Sequence, residues 1–440
     1  MVLQKINVQD IFKSLGIPTA TYVRREDGKY EKELSSSLDA KGKLCLLTRP
    51  SKTGKTTLYI HVLEDKGLQP LVVRCDSNLT SEEFWKCALE RIDFDRLSTS
   101  QKNVSKKISG GGKIGGTIGW KWLAGLLGEV TFGIEHNMGE IQIREKIISK
   151  PAPGHLIPVL KHLPTVLVVE DFHYLNSETK KHIFQQWKIF VDGEVSVIVV
   201  GTTHHSSDLA YANKDLIGRI AQINLTGWNS DDLEKIAIQG FEKLQLTVSR
   251  IITNTIAREA AGLPILVQQT CSQLLTDKGV TEIEPGKINL TFDRSDVYHS
   301  LHSIAITHYK LFEPLYQRLI TGPRKAARKY NTYEVVLLTF CKDPLTLSLT
   351  RHQIAERLRE MPLSEDERPP AASVNGMLSA LAAFQNKTNM ELLEWSKQDQ
   401  QLYIVEPAFL FYLRWREKSL ASLEHILDML RQGGKTGGRR

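Results

Sequence analysis

Leu44-Cys45-Leu46-Leu47-Thr48-Arg49-Pro50-Ser51-Lys52-Thr53-Gly54-Lys55-Thr56-Thr57 is the stretch on which the fold turns. Four apolar residues deliver the chain to a tight turn, and a helical pattern starts at Lys55. Thr53-Gly54-Lys55-Thr56 is the second half of a phosphate-binding loop. In such a loop, backbone N–H groups of the turn and of the helix N-terminus point at the β- and γ-phosphates of a nucleotide. The lysine adds a point charge, and the hydroxyl after it is placed to ligate Mg²⁺. The candidate binding residues are therefore Ser51, Lys52, Thr53, Gly54, Lys55, Thr56 and Thr57, with Thr56 on the metal side. One position departs: the pattern G-x-x-x-x-G-K-[ST] asks for glycine at 49, where this chain has Arg49. A side chain there needs a backbone that avoids positive φ, or tolerated strain. That departure bears on hydrolysis more than on binding.

The expected partner of this loop is Thr165-Val-Leu-Val-Val169-Glu170-Asp171, a buried strand ending in two carboxylates. A carboxylate at a strand end holds the water shell of Mg²⁺, and its neighbour polarises the attacking water. The usual order is Asp then Glu; here Glu170 precedes Asp171, and the shorter Asp171 reaches the water less easily. Val195 to Val200 with Gly201-Thr202-Thr203 reads as a strand lying beside both. Thr202 then either senses the γ-phosphate or caps the strand. Arg219, after Asp215-Leu-Ile-Gly218, reads either as an arginine finger offered to a neighbouring subunit or as a surface arginine paired with Asp215. Strands at 43–47, 70–75, 165–169, 195–200 and 220–225 alternate with helical patterns. That rhythm predicts a doubly wound parallel α/β sheet.

From residue 230 the pattern turns helical, with helices over 251–261 and 265–275 separated by Gly262-Leu263-Pro264. Helices at 332–341, 350–360 and 371–385 precede two strand-like runs, 390–395 and 401–405. A helix from Pro407 closes the unit. Three helices and then a hairpin is a winged-helix order. The third helix offers Ser373, Asn375 and Ser379 but no Arg or Lys, which is poor equipment for reading base edges. Phosphate contacts would have to come from Arg351, Arg357, Lys397 or the 324–329 cluster. Residues 105–140 break the rhythm with many glycines around Trp120-Lys121-Trp122. They read as an ordered insertion or hairpin against the nucleotide domain, in preference to a membrane contact, since Lys121 and the glycines oppose a spanning helix.

At 440 residues the chain is long enough for two or three domains. Its net charge of +7 permits nucleic-acid contact without requiring it, and part of the excess sits in the last six residues. Five scattered cysteines without a C-x-x-C pair exclude a zinc knuckle and read as reduced thiols of a cytoplasmic protein. The histidines at 204, 205, 299, 302 and 308 lack acidic or cysteine partners at ligand spacing. The N-terminus lacks the apolar core of a signal peptide, and no apolar run is long enough to span a membrane.

Together these segments resemble the bacterial ATP-binding proteins on the border of the AAA+ and STAND classes, which are similar to archaeal ATPases and origin-recognition initiators. The resemblance rests on Ile17-Pro18-Thr19 with Tyr22-Val23-Arg24-Arg25 and Glu31, on the phosphate loop, and on Glu170 to Leu175. Asn213 to Arg219, Gly262-Leu263-Pro264, and Tyr403 to Pro407 with Tyr412-Leu413 complete it. It covers roughly 15–100 and 150–415, leaving the Gly-rich insertion aside. What it implies is a P-loop NTPase parallel sheet with a helical lid, followed by a winged-helix domain. The expected plan is a 1–40 segment folding over the adenine, a nucleotide domain over 41–228, a lid and connector over 229–325, a winged helix over 326–420, and a tail over 421–440. It also implies ATP and Mg²⁺ as ligands, Pro264 as the lid turn closing on the phosphates, and assembly into a homo-oligomer. The expected activity is an ATP-driven switch that engages a partner protein or DNA, in prokaryotic defence or mobile-element function. The alternative is an ATP-gated DNA-binding initiator or regulator.

Overall fold

A computed structural model of the 440-residue chain describes residues 5–14, 16, 20–48, 52–107, 118–128, 133–134, 138–201, 216, 218–225, 227–284, 290–322, 330–365, 367–388 and 392–416. Its packing divides it into two compact units. One holds Arg24–Arg49 and Thr53–Thr226; the other holds Met1–Val23, Pro50–Lys52 and Gly227–Arg440. The chain opens with a two-residue strand β1 (Ile6–Asn7) and a helical turn α1 (Val8–Ile11), both taken below with the second unit.

The first unit is built on five strands after helix α2 (Lys29–Asp39): β2 (Leu44–Thr48), β3 (Gln69–Arg74), β4 (Thr165–Glu170), β5 (Val197–Gly201) and β6 (Ile220–Asn224). All pair in parallel, in the order β3-β4-β5-β2-β6. The three central strands are buried along their whole length, and the edge strands β3 and β6 are partly exposed. A parallel sheet covered on both faces requires such unbroken apolar runs. Period-two alternation shares the strands between two cores. Leu44, Leu46, Leu167, Val169, Val197 and Val199 face one, while Cys45, Leu47, Val166, Val168, Ile198 and Val200 face the other. The second face is covered by α2 and by α3 (Lys55–Asp65), the helix that leaves the phosphate loop. The first is covered by α4 (Ser81–Glu90), α5 (Phe94–Lys107), α6 (Trp120–Leu127), α7 (Glu140–Ile148), α8 (Ile157–His162), α9 (Ser177–Gln186) and α10 (Lys188–Asp192).

Within the expected insertion, α6 packs onto the nucleotide unit as a helix where an insertion ordered on assembly, or a hairpin, was expected. Its Trp120, Leu123 and Ala124 are buried in the same core as α4 and α7. Glu140 caps it, accepting from the Trp120 N–H at 2.8 Å and the Lys121 N–H at 3.3 Å. A carboxylate there meets the positive end of the helix dipole. The glycines from 110 to 116 lie outside the described residues. No helix among the described residues is long and apolar enough to cross a membrane.

The second unit begins with α11 (Ser230–Lys243), α12 (Arg250–Glu259) and α13 (Pro264–Asp277), followed by the short strand β7 (Glu282–Ile283). Asn229 caps α11, accepting from the Asp232 N–H at 2.7 Å. The N-terminal residues belong partly here, which corrects the expected single 1–40 segment. β1 pairs antiparallel with β7, Phe12 packs edge-on to Phe241, and Thr21 accepts a hydrogen bond from Gln268. Phe12 also explains Gly240 in the middle of α11: a Cβ there would sit 2.0 Å from Phe12 Cε1. Only Arg24 onward joins the α/β unit.

The expected separation of lid and C-terminal domain gives way to one packed unit. After α14 (Arg294–Thr307) and α15 (Phe312–Thr321) come α16 (Thr332–Phe340), β8 (Ser348–Thr350), α17 (Arg351–Glu360), α18 (Ala371–Thr388), β9 (Leu393–Ser396), β10 (Gln401–Ile404) and α19 (Pro407–Trp415). The strands form an antiparallel sheet in the order β8-β10-β9. The observed order is helix–strand–helix–helix–hairpin, where the sequence pattern predicts three helices and a hairpin and misses β8. Arg414 of α19 reaches back to Glu259 of α12, with Nε–Oε2 at 2.6 Å and Nη2–Oε1 at 3.0 Å, both side chains fully buried. That ion pair ties the two halves of the unit together.

Candidate functional site

The C-terminal ends of β2, β5 and β4 lie side by side, because β5 is inserted between the phosphate-loop strand and the acidic strand. In open parallel sheets, ligands bind at this end of the strands. At the mouth of β2, Lys52 and Gly54 both take left-handed backbone conformations, φ 63° and 92°. For Gly54 this is free of steric cost and turns the chain into α3. The first N–H groups of α3 have no intrahelical partner, so the helix presents donors and its positive dipole end here. Thr53 and Lys55 are buried, Thr57 is half-buried, and Lys52 stands exposed. Burial pushes the Lys55 ammonium down to about 8, and the nearby Asp171 carboxylate partly offsets this. A lysine so desolvated gains most from an incoming anion.

Across the sheet, Glu170 ends β4 and accepts three hydrogen bonds. The Thr56 hydroxyl donates to Oε1 at 3.1 Å and the Tyr59 hydroxyl at 3.0 Å, while Arg74 Nε donates to Oε2 at 3.0 Å. Burial and the Glu170 charge push the Tyr59 phenol far up, so it remains a donor. The two oxygen ligands expected on the metal side, Thr56 and Glu170, are therefore adjacent, and oxygen donors suit Mg²⁺. Asp171 follows in a left-handed conformation, φ 59°, which turns the chain sharply at the strand end. Non-glycine residues held there are strained and cluster at functional sites. Its charge acts on Lys55, Tyr59, Arg74 and His173, so it too faces the loop.

Tyr59 and Arg74 were not read from the sequence as site residues. Tyr59 lies one helical turn after Lys55, and Arg74 is the register partner of Glu170 on the neighbouring strand. Both signals existed, but only once the β3–β4 pairing is known.

Ser51, Thr202, Thr203, Arg49 and Asp215 lie outside the described residues, as do the 204–205 histidines and the 324–329 cluster. Gly201 itself pairs with Thr48 at the end of β5. Arg219 is exposed and stands before the first residue of β6, which pairs with Leu44. It is thus at the opposite end of the sheet from its own phosphate loop, about 13 Å along β2 at roughly 3.3 Å per residue. Pro264 opens α13 in the helical unit, after left-handed Ala261 and Gly262. Arg357 is withdrawn from the phosphate contacts: its guanidinium donates to the carbonyls of Thr339, Lys342 and Pro344 and caps α16. Arg351 and Lys397 are exposed. Among the described residues no three His, Cys, Asp or Glu side chains form a metal-binding group, and His302 bonds the Trp415 carbonyl instead.

No protein-family model matches the sequence, and no curated protein matches it. Among solved structures, the chain is similar to a Walker-type ATPase of Pyrococcus abyssi, with 17% identity and a TM-score of 0.48 over 90% of this chain and 100% of that one. It is also similar to Cdc6p of Pyrobaculum aerophilum, with 14% identity and a TM-score of 0.41 over 96% and 98%. A third is the Holliday junction branch migration motor RuvB of Thermotoga maritima, with 14% identity and a TM-score of 0.38 over 89% and 97%.

Proposed function

We propose that this chain binds ATP with Mg²⁺ at the loop between β2 and α3 and hydrolyses it slowly, as a cytoplasmic AAA+/STAND-like switch. The observation that carries the reading is the convergence of a buried Lys55, the N-terminus of α3 and the Thr56–Glu170 contact on one end of the sheet. Lys55 and the first N–H groups of α3 bind and orient the phosphates. Thr56 and Glu170 would hold Mg²⁺ through their oxygens, and the ion would supply charge neutralisation at the phosphates. Glu170 is kept in place by Tyr59 and Arg74. Asp171 positions the attacking water and accepts its proton; its short arm makes turnover slow. Thr53 and Thr57 belong to the same loop and helix start; Ser51 and Thr202 are assigned to phosphate binding, and Pro264 to the lid turn, from the motifs alone.

Arg219, remote from its own loop, serves the nucleotide of a neighbouring subunit, which makes the active form a homo-oligomer. The helix–hairpin region around α18 engages a partner protein. Among its described side chains, over 371–385, that helix exposes Ala371, Ala372, Gly376, Ser379, Ala380, Ala382 and Ala383, none of them a cation, which weighs against the initiator reading that needs phosphate or base contacts. Prokaryotic defence or mobile-element function is the setting that the motifs suggest.

Two assays test this. The wild-type chain should bind MgATP and release phosphate, and Asp171→Asn should keep binding while losing turnover at least tenfold. Duplex DNA titrated at low and moderate salt should show no steeply salt-dependent binding; finding it would restore the initiator reading.

A further inference from the structure

A groove of about 1490 Å³ runs through the helical unit, bounded by α12 on one wall and by the loop from Asp343 to Ser348 on the other. It is larger than the roughly 300–1,000 Å³ of a small-molecule site. Along α12, Arg250, Asn254 and Arg258 recur at i, i+4 and i+8 and line that wall together. Arg294, exposed at the start of α14, adds a third cation.

The acids of the groove are already committed. Glu259 is spent on Arg414, with its side chain 3% exposed. Asp343 pairs with Arg414 Nη2 at 3.1 Å, and Glu234, which faces Arg250 from outside the lining, accepts from the Thr253 hydroxyl at 2.8 Å. The arginine heads make only longer ion pairs and stay exposed. Arg250 is 86% exposed with Glu234 at 3.6 Å, and Arg258 is 56% exposed with Asp343 at 3.8 Å. Both distances exceed a hydrogen bond. The exposed charge of the groove is therefore mainly positive, over walls that mix polar side chains such as Asn254, Thr255 and Thr346 with apolar ones: Ile251, 60% exposed, beside the arginines, and the half-buried Leu345 and Leu347 opposite.

From this we infer that the groove is a docking site for an extended acidic peptide segment of a partner protein, with apolar residues alternating between its acids. The spacing fits. Arg250 and Arg258 are about 12 Å apart along the helix at 1.5 Å per residue. Acidic side chains four residues apart on an extended segment are separated by about 13 Å and share a face. The side chains next to each acid, at i+1 and i+3, then point the other way, toward Leu345 and Leu347. A single-stranded nucleic acid would instead call for exposed aromatic rings on which bases stack. Of the aromatic rings in the lining, Tyr298 is buried and Trp228 half-buried, so neither offers a fully exposed face. The partner's class follows from charge and alternation together, and the inference does not depend on nucleotide binding at the phosphate loop.

The test uses the full chain without nucleotide and a fluorescein-labelled nonapeptide of alternating Glu and Leu, read by anisotropy. The same peptide with Lys for Glu and an oligo-dT of twenty nucleotides serve as comparison probes. The Glu–Leu peptide should bind, weaken with added salt, and lose at least tenfold in affinity in Arg250→Gln/Arg258→Gln. The lysine peptide should not bind. Both arginines are exposed, so the variant should keep the wild-type circular dichroism and melting temperature. If the variant melts early, Asn254→Asp, a single charge placed on the same wall, provides the same readout. No binding by the Glu–Leu peptide overturns the inference, as does binding indifferent to both variants. Binding of oligo-dT with the same sensitivity replaces the peptide with a nucleic acid and equally overturns it.

Discussion

Glu170 is the residue whose surroundings depart furthest from what its sequence neighbours announce. Its carboxylate accepts from Thr56, Tyr59 and Arg74 at once, so the strand-end acid is fixed before any ligand arrives. Electrostatic preorganisation of this kind acts on the transition state more than on ground-state binding. Tyr59→Phe and Arg74→Ala should therefore each lower kcat for ATP by roughly three- to tenfold while leaving ATP affinity within about twofold. Steady-state phosphate release and equilibrium ATP titration separate the two. An affinity loss with unchanged kcat would mean that these side chains only hold the loop in shape. Lys55, Thr56 and Glu170 were legible in the sequence, because a strand-to-helix turn and a strand-end acid have fixed spacing. Tyr59 and Arg74 were not, since their roles arise from the register of β3 against β4 and from the helical face of α3.

Elements within the α/β unit were legible where the apolar period was unambiguous. β2, β4 and β5 are unbroken runs, and each forms close to its expected bounds. The insertion was not, because glycine density hid an eight-residue helix whose N-terminal N–H groups are met by a glutamate twenty residues on. Glu140→Ala should free those donors and cost about 1 kcal/mol, and amide exchange over 119–127 should quicken while β4 stays protected. Equal acceleration in both would mean that α6 is not an independent packing element. A second cap carries a pH signature. Hydrogen bonds from the Thr80 backbone and hydroxyl hold the Glu83 carboxyl below its usual value. That stabilisation is fully present above the ordinary glutamate pKa and is lost as pH falls through the depressed one. Thr80→Ala should therefore weaken the protein at neutral pH but close the gap to wild type in acid, in urea unfolding at pH 7 and pH 3.

For the molecule as a whole, the organisation of the second unit was the least legible feature. Phe12 packs on Gly240 and Arg414 pairs with Glu259, contacts spanning far more chain than any periodicity reports. Arg414→Met alone strands a buried carboxylate and should cost about 3–5 kcal/mol, whereas Arg414→Met with Glu259→Met should recover most of it. Additive losses in denaturant unfolding would contradict the coupling. At the same scale, the role proposed for Arg219 would make turnover a property of an assembly. Arg219→Ala and Glu170→Gln chains, each inactive alone, should regain part of the activity when mixed, and an absence of rescue would assign Arg219 a surface role. All of this presupposes that the loop between β2 and α3 holds a nucleotide, and MgATP titration of wild type against Lys55→Ala tests that most directly. The expected result is saturable binding by wild type, weakened roughly a hundredfold or more by the substitution, about 2.8 kcal/mol at 1.4 kcal/mol per tenfold. Equal affinity in the two proteins would contradict it.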